Sequence, residues 1–242
     1  MSADRNQLGQ PIGFPLPDWS GCEHPRGACM QGRRCRLEPL DPELHAGSLF
    51  SAYAEDRDGR NWTYLAYGPF ADEAAFRGWL ESACLGEDPC FFAVIDAADD
   101  RAVGLASYLR IEPGSGVIEI GHLHFSPRMQ GRPIATEAIY LMMRQVFDVL
   151  GYRRCEWKCD ALNRPSRAAA ERLGFAFEGI FRQATIYKGR NRDTAWYAII
   201  DREWPAARGA FEAWLDAANF DDQGRQKSSL SKTMREALAP LR

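Results

Sequence analysis

The chain has 242 residues, of which 45% are hydrophobic and 26% are charged, a composition typical of a soluble globular protein with one sizeable core. A formal net charge of −3 argues against a general nucleic-acid-binding surface, so no nucleic-acid partner is expected. No apolar run approaches the roughly 18 residues of a membrane span, and the polar residues 1–10 lack the apolar core of a secretory signal. We therefore expect a cytoplasmic protein with no membrane partner.

Residues 1–32 are rich in proline and glycine and are predicted to form an N-terminal arm laid over the domain surface or partly disordered. Cys22, His24 and Cys29 have the residue types of a metal site, but no second pair follows at zinc-finger spacing, so no metal is predicted. The chain has seven cysteines, an odd number, which indicates reduced thiols rather than a disulfide framework.

The first half of the domain begins with alternating polar and apolar residues over 33–40, which predict a strand. Asp41 and Pro42 are typical of a helix start, with the aspartate as N-cap and the proline at the first helical position. That helix is expected to end near Ala54. The remaining predicted elements of this half are a helix over 73–84 and strands over 90–96, 102–111 and 117–125.

The second half contains a long amphipathic helix over 133–150, which Gly151 ends as a C′ glycine. The other predicted elements are strands over 153–160, 175–187 and 194–201 and helices over 166–173, 204–218 and 229–238. Antiparallel hairpins followed by strand–helix–strand units predict an α/β (α+β) fold, with a central mixed, mostly antiparallel sheet of about seven strands flanked by helices. The folded domain is expected over 33–201, followed by a C-terminal helical extension and polar tail over 202–242.

The turn after strand 117–125 is the first candidate binding site. Backbone N–H groups converge on an anion where a glycine-containing turn opens a helix. A plain strand–helix connection with a proline start gives the same local pattern, so this motif is weak by itself. The candidate residues are Gln130, Gly131, Arg132, Pro133, Ile134, Ala135 and Thr136.

The segment 163–166 follows the next predicted strand and opens a short helix. Alone it is equally consistent with a simple turn in which Ser166 caps the helix. Together, the two motifs in this element order resemble the acyl-CoA-binding core of the GNAT N-acetyltransferase superfamily, over roughly residues 33–201. Further matches over 156–160, 178–182 and 188–194 resemble the branch of ribosomal-protein N-terminal (alanine/serine) acetyltransferases.

This resemblance implies a GNAT fold and an acyl-CoA co-substrate, acetyl-CoA or another acyl-CoA, with no metal. It implies that the 130–136 turn binds the pyrophosphate, although Pro133 stands where the family's middle glycine is expected and removes one N–H donor. Asn163 is expected to meet the pantetheine arm, with Ser166 beside it. The strand end at Phe125 and Ser126 is expected to supply the N–H that polarises the thioester carbonyl.

The implied reaction is direct attack of a neutral amine on the thioester. Glu119, His122 and His124 are the candidate bases: strict alternation puts both histidines on one face and Glu119 on the other, but the family's bulge in this strand would change that parity. His122 has a suitable ordinary pKa, yet a hydrogen-bonded wall residue fits it equally well. The position at which many relatives have an acid tyrosine is Ala170, which leaves Tyr187 as the substitute candidate.

Acceptor identity stays open between a small amine and a protein N-terminus. Arg182, Arg190 and Arg192 cluster around the last predicted hairpin, either as a solvated turn or as a site that favours a carboxylate-bearing acceptor or an acidic peptide. The C-terminal helix could pack on the core or form a homodimer interface. Because Ala170 and Pro133 depart from the family pattern, a non-catalytic acyl-CoA-binding or regulatory module is the alternative, and a scaffold for protein contacts is a third hypothesis.

Overall fold

The computed structural model describes residues 4–242 and contains ten strands and six α-helices in that range. The strands are β1 (Asp4–Arg5), β2 (Pro11–Ile12), β3 (Met30–Gln31), β4 (Cys35–Pro39), β5 (Cys90–Asp96), β6 (Arg101–Glu112), β7 (Val117–Phe125), β8 (Arg154–Asp160), β9 (Ala176–Tyr187) and β10 (Arg190–Ile200). The helices are α1 (Pro42–Tyr53), α2 (Glu73–Ala83), α3 (Pro133–Arg144), α4 (Arg164–Arg172), α5 (Trp204–Leu215) and α6 (Leu230–Leu238).

Eight strands form one sheet in the order β3-β4-β5-β6-β7-β8-β10-β9, and β1 pairs separately with β2. Neighbouring strands are antiparallel, except that β7 and β8 run parallel. The predicted mixed, mostly antiparallel sheet is confirmed, and the two-residue β3 extends it beyond the expected seven strands. A parallel pair inside an antiparallel sheet needs a crossover, which α3 supplies between β7 and β8.

Helices cover the sheet unevenly, and this difference creates the site. One face packs against α3, α5 and α6 in the larger core, whereas α1 and α2 cover the other face in a smaller core. Within residues 4–242, that smaller core includes side chains of β5 and β6 but none of β8, β9 or β10. The second face of the sheet is therefore open beyond β7.

Several predicted boundaries differ from the structure. The helix expected over 133–150 ends at Arg144 and continues as a π-helical turn, Gln145–Val149. The helix expected over 204–218 ends at Leu215. The last hairpin has a two-residue turn instead of the predicted loop 188–193, because Lys188 and Gly189 both adopt positive φ, 48° and 69°, which matches the twist of paired strands.

The chain ends pack against the domain. In the arm, Trp19 Nε1 donates a hydrogen bond to the carbonyl oxygen of Gly114 at 2.7 Å. In α5, Phe211 and Trp214 are buried in the larger core, so this helix packs back on its own domain. Among residues 4–242, no helix has the length and apolarity of a membrane span, and no group of three or more His, Cys, Asp or Glu residues is arranged to hold a metal ion.

Candidate active site

A cleft opens between β7 and β8. The two strands pair at only three positions in the described chain, the last of them Glu119 opposite Glu156. Beyond that pair β7 continues to Phe125 and β8 to Asp160, so their C-terminal halves have unpaired backbone edges. An extended ligand with amide groups can hydrogen-bond to such an edge, as an added strand does.

A β-bulge in β7 decides which side chains line this cleft. His124 lies opposite Leu105 and Gly121 opposite Ser107, so two residues of β7 face the single residue Ala106. His122 adopts a φ of 48°, which is uncommon for a residue other than glycine. The bulge that the family resemblance implied is therefore present, and it leaves an unpaired backbone segment beside the cleft.

Because of the bulge, the side-chain orientations that strict alternation predicted for His122 and His124 are wrong. Ile120 packs in the larger core, and continued alternation would have directed His122 and His124 to that same side. Instead His122 contacts Phe91 and His124 contacts Trp62, both members of the smaller core. The extra residue re-aims both histidines to the open face, which they share with Glu119.

One end of the cleft is formed by the turn between β7 and α3. We call this end the donor side and define it as residues 125–136 together with the start of α4. Gln130 Nε2 donates to the Phe125 carbonyl at 2.7 Å and closes the turn. The N–H groups of Arg132 and Ala135 make local bonds, whereas within residues 4–242 those of Gly131 and Ile134 have no such bond. Gly131 has a φ of 70° with open space where a Cβ would lie.

Three further predicted residues of the donor side have different places in the structure. Pro133 is the first residue of α3, as its position in the sequence predicted. Ser126 is fully buried, and its Oγ has no hydrogen-bond partner within residues 4–242. Thr136 is 1% exposed and its Oγ1 accepts a hydrogen bond from Arg172 Nη2 at 2.9 Å, so its side chain joins α3 to α4 and does not face the turn.

Asn163, and not Ser166, caps α4. Asn163 Oδ1 accepts a hydrogen bond from the Ser166 N–H at 3.1 Å, which makes the helix start two residues earlier than predicted. Ser166 lies in the first turn, where its Oγ accepts a hydrogen bond from Trp157 Nε1 at 3.0 Å. Both residues can serve as N-caps, and the one whose side chain reaches the N3 amide takes the role. Ala170 is fully buried. Because alanine has no ionisable group, α4 offers no acid at that position.

His122 lies on the other end of the cleft, the acceptor side, formed by the bulge of β7, the end of β8 and the β9–β10 hairpin. Its Nδ1 lies 3.3 Å from the Tyr67 hydroxyl, and its ring is 5.0 Å from that of Phe91 between centroids. Burial and the charges of Arg110 and Arg192 lower the pKa of His122 to about 4. The imidazole is therefore neutral at physiological pH.

Glu119 belongs to a buried ion network. Its carboxylate accepts from Arg110 Nη1 at 2.7 Å and lies 3.2 Å from Lys158 Nζ, which is 2.6 Å from Glu156. Burial raises the pKa of Glu119, and the charges of Arg110 and Lys158 oppose that shift. The ammonium of Lys158 also lies 3.7 Å from the ring centroid of Trp196. Because this carboxylate contacts two cations, we assign it to the ion network and not to proton transfer.

His124 has a structural environment. Its ring is stacked on Tyr53 and meets Trp62 edge-on, with centroids 3.8 Å from each. It is 2% exposed, and burial lowers its pKa to about 3. Within the described chain both ring nitrogens lack a hydrogen-bond partner, so His124 acts as a neutral aromatic wedge.

The β9–β10 hairpin closes the acceptor side. Tyr187 donates from its hydroxyl to Asp160 Oδ2 at 2.8 Å, and burial together with Asp160 raises the pKa of Tyr187 to about 12. Lys188 Nζ donates to the Trp62 carbonyl at 2.8 Å, which joins the hairpin tip to the segment after α1. Tyr64 donates to the Leu162 carbonyl at 3.2 Å from the same segment.

Sequence reasoning missed Lys158 and Tyr67 as residues of the site. A signal for Lys158 was available, because charged residues alternate with buried Cys155, Trp157 and Cys159 along β8 and must share its other face. Tyr67 lies in an irregular segment, where no periodicity predicts which residue meets His122. Cys155 and Cys159 themselves are core residues of β8.

Two cavities of about 540 and 460 Å³ lie away from the cleft. The first is between α4, β9 and α6, and the second is between α3, α5 and the segment after β3. Neither cavity is lined by residues of β7, so cavity volume alone does not identify the cleft between the parallel strands.

Comparisons with known proteins agree with this fold and identify its family. Residues 34–176 match the family model described as an acetyltransferase (GNAT) domain. A GCN5-related N-acetyltransferase structure from Brucella melitensis is 48% identical, with a TM-score of 0.88 over 90% of this chain and 99% of that one. An uncharacterized N-acetyltransferase, p20, from Bacillus licheniformis is 26% identical over 70% of this chain and 95% of its own length. A ribosomal-protein-serine acetyltransferase from Escherichia coli strain K12 is 32% identical over 43% of this chain and 59% of its own length.

Proposed function

The chain belongs to the GNAT family of acetyltransferases, and from that premise we propose that it transfers acetyl from acetyl-CoA to the primary amine of a small molecule or a protein N-terminus. GNAT enzymes are acetyl-CoA-dependent N-acetyltransferases, so the reaction class follows from the family. The acceptor class and the residue roles below are our proposal.

The β7–β8 cleft carries the proposal. Its donor side has backbone groups and a helix N-terminus suited to an anion, with free N–H groups at Gly131 and Ile134. We assign the pyrophosphate to that turn and the pantetheine arm to the unpaired edge of β7 and to Asn163. Gln130, Pro133 and Phe125 shape the turn, Arg132 adds a cation, and Ser126 and Thr136 support it from within.

Acetyl transfer forms a C–N bond and breaks the C–S bond of the thioester. The unpaired backbone at the bulge, His122 and Leu123, offers an N–H to the carbonyl oxygen, closer to the centre of the cleft than Phe125. Neutral His122 accepts the proton that the attacking amine loses. A positioned base contributes on the order of 10²–10⁴ to the rate, with the largest values for a pKa near the working pH, so the lowered pKa of His122 favours the smaller end of that range.

The leaving thiolate needs no acid from the protein. Tyr187 donates its one hydroxyl proton to Asp160, and its pKa of about 12 lies above that of a thiol, about 8.5. Transfer of that proton to the thiolate is therefore unfavourable. We assign protonation of CoA to solvent, and Tyr187 and Glu119 to the positioning of Asp160 and Lys158.

An amine panel incubated with acetyl-CoA, with free thiol measured over time, tests the proposal. We expect turnover with at least one primary amine and none with tertiary amines, which have no N–H to lose. CoA binding by calorimetry without turnover for any amine or N-terminal peptide would instead support the non-catalytic module. The absence of CoA binding would contradict both.

A further inference from the structure

The acceptor side contains a cation, Arg192, whose buried Nε has no hydrogen-bond partner within residues 4–242. Building on the proposed function, we infer that the acceptor carries a carboxylate near its amine and that Arg192 of β10 binds it. Arg192 would then be a specificity-determining residue that selects the acceptor by charge.

Arg192 differs from the two other arginines of the hairpin region. Arg182 and Arg190 are exposed, whereas Arg192 is half-buried, with its guanidinium 5.8 Å from the ring centroid of Tyr187. Its Nε is buried and, within residues 4–242, has no hydrogen-bond partner. A buried donor without an acceptor is destabilising, and more so on a charged group, so a bound anion would relieve that penalty.

The nearby carboxylates are engaged elsewhere. Asp160 accepts hydrogen bonds from Tyr187 and from the Leu162 N–H. Asp193 accepts from Asn191 and the Gln183 N–H. Asp88 accepts from the N–H groups of Arg110 and Ile111.

The ion network beside Arg192 is balanced without it. Three carboxylates alternate with three cations in a chain of ion pairs: Glu119, Glu156 and Glu178 with Arg110, Arg154 and Lys158. Within residues 4–242 Arg192 forms no ion pair with this network, so its guanidinium is available to a ligand. A guanidinium fork is the group that proteins use most readily for bidentate binding of a carboxylate.

A second donor lies on the same strand. Trp196 Nε1 is buried and has no hydrogen-bond partner within the described residues. Its ring is stacked on Phe181 with centroids 4.1 Å apart, and Lys158 covers it, so the indole orientation is fixed. Two fixed, unpaired N–H donors on β10 favour an acceptor rich in oxygen acceptors over an alkyl amine.

The position of Arg192 also couples binding to chemistry. Its charge is one of those that lower the pKa of His122, so the two groups are electrostatic neighbours. A carboxylate bound at Arg192 brings an adjacent amine toward His122. It also cancels part of the positive potential there, which makes the imidazole a stronger base when the correct acceptor is present.

Steady-state kinetics with matched acceptors test the inference. The free-carboxylate arm compares an α-amino acid with its amide, and the acidic-peptide arm compares Gly-Asp-NH2 with Gly-Asn-NH2. We expect kcat/KM to be about 10–100-fold higher for the carboxylate member of at least one pair, mainly through KM, because a charge-assisted hydrogen bond is lost in the other member. The pair that shows the preference identifies the source of the carboxylate.

Arg192→Gln should reduce that preference to about threefold or less by lowering kcat/KM for the carboxylate acceptor. Arg190→Gln, on the exposed neighbour, is the matched control and should keep the preference. Equal use of both members of each pair by the wild-type enzyme, or an equal change in the two variants, would overturn the inference.

A binding measurement separates this inference from the proposed function. If no amine is acetylated, calorimetry with N-acetylglycine and N-acetylglycinamide in the presence of CoA still reports on the carboxylate site. Preferential binding of N-acetylglycine that Arg192→Gln removes supports the site even though acetyl transfer fails. The same affinity for both probes contradicts it.

Discussion

The donor side and the acceptor side of the cleft are built by different means. The donor side uses main-chain groups: a turn at Gly131, the start of α3 and the unpaired edge of β7. The acceptor side uses ionisable side chains of β6, β7 and β8, held in one network, with Arg192 of β10 outside it. A common donor can be bound by backbone geometry, whereas selection of one acceptor requires specific charges.

This difference predicts separate consequences of mutation. Side-chain changes on the acceptor side should alter stability, rate and pH response with little effect on CoA affinity. Changes on the donor side should act through backbone conformation and alter CoA affinity with little effect on the acceptor preference.

The largest expected effect is that of Lys158→Met. The Lys158 side chain is 6% exposed and bonds to both Glu119 and Glu156, so its removal leaves two buried carboxylates close together. Breaking a buried ion pair from one side costs about 3–5 kcal/mol. Urea unfolding should show a loss of that size in the free energy of unfolding.

A second substitution checks the cause. Lys158→Met combined with Glu119→Gln removes one of the two stranded charges and should recover part of the stability. Exposed Lys232 lies 4.0 Å from Glu236, and Lys232→Met is the surface control, with an expected change below about 1 kcal/mol. A double variant no more stable than the single one would show that packing, not charge, dominates.

His122→Asn should lower kcat by about 10²–10⁴ with an unchanged dissociation constant for CoA. Asparagine tolerates the positive φ of His122, so the bulge can persist while the base is lost. Single-turnover acetylation and CoA calorimetry measure the two quantities. A loss of CoA affinity as large as the loss of rate would assign His122 to the architecture of the cleft instead.

Sequence patterns predicted the backbone structure of the β7–α3 turn better than the side-chain contacts of the acceptor side, for a physical reason. The turn 130–136 and the proline at the start of α3 are local, and local chemistry decides them. The choice between Asn163 and Ser166 as cap depends on one hydrogen bond, which composition does not resolve. The bulge at His122 depends on the register with β6, a non-local property, so its effect on parity could not follow from alternation.

The same dependence on distant neighbours hid the ion network. Lys158 meets Glu119 only because β8 lies parallel to β7, after the α3 crossover. The family assignment predicted that arrangement in outline, and the structure confirms the sheet. It did not identify which charges are balanced and which, like Arg192, are left for a ligand.

Acid should destabilise the acceptor side through His124. Burial lowers its pKa to about 3, below the ordinary 6.5, so the unfolded state binds the proton more readily as the pH falls below 6.5. The free energy of unfolding should then fall by about 2 kcal/mol between pH 6.5 and 5 from this residue, and continue to fall until about pH 3. Tyr53 is the titratable group packed against it, and it stays neutral throughout because burial raises its pKa.

His124→Phe isolates that contribution. The ring keeps its place between Tyr53 and Trp62, and no hydrogen bond is lost, because neither imidazole nitrogen has a partner within residues 4–242. Urea unfolding at pH 6.5 and pH 5 should show a smaller acid-induced loss in the variant, by about 2 kcal/mol. An unchanged loss would assign the acid sensitivity to other groups.

Gly131→Ala is the smallest of these effects and tests the donor side alone. A Cβ at Gly131 meets open space, so the substitution introduces no clash and acts only through the φ of 70°, which costs a residue other than glycine about 1–2 kcal/mol. The turn should relax in the free protein and be restored by the ligand, so the dissociation constant for CoA should rise about 5–30-fold. Gly131→Asn is the matched control, because asparagine adopts positive φ more readily and should weaken binding less. Equal effects of Ala and Asn would mean that the added side chain itself obstructs the ligand. If neither substitution changes the dissociation constant for CoA, Gly131 does not belong to the pyrophosphate site, and the contrast between a backbone-built donor side and a side-chain-built acceptor side is weakened.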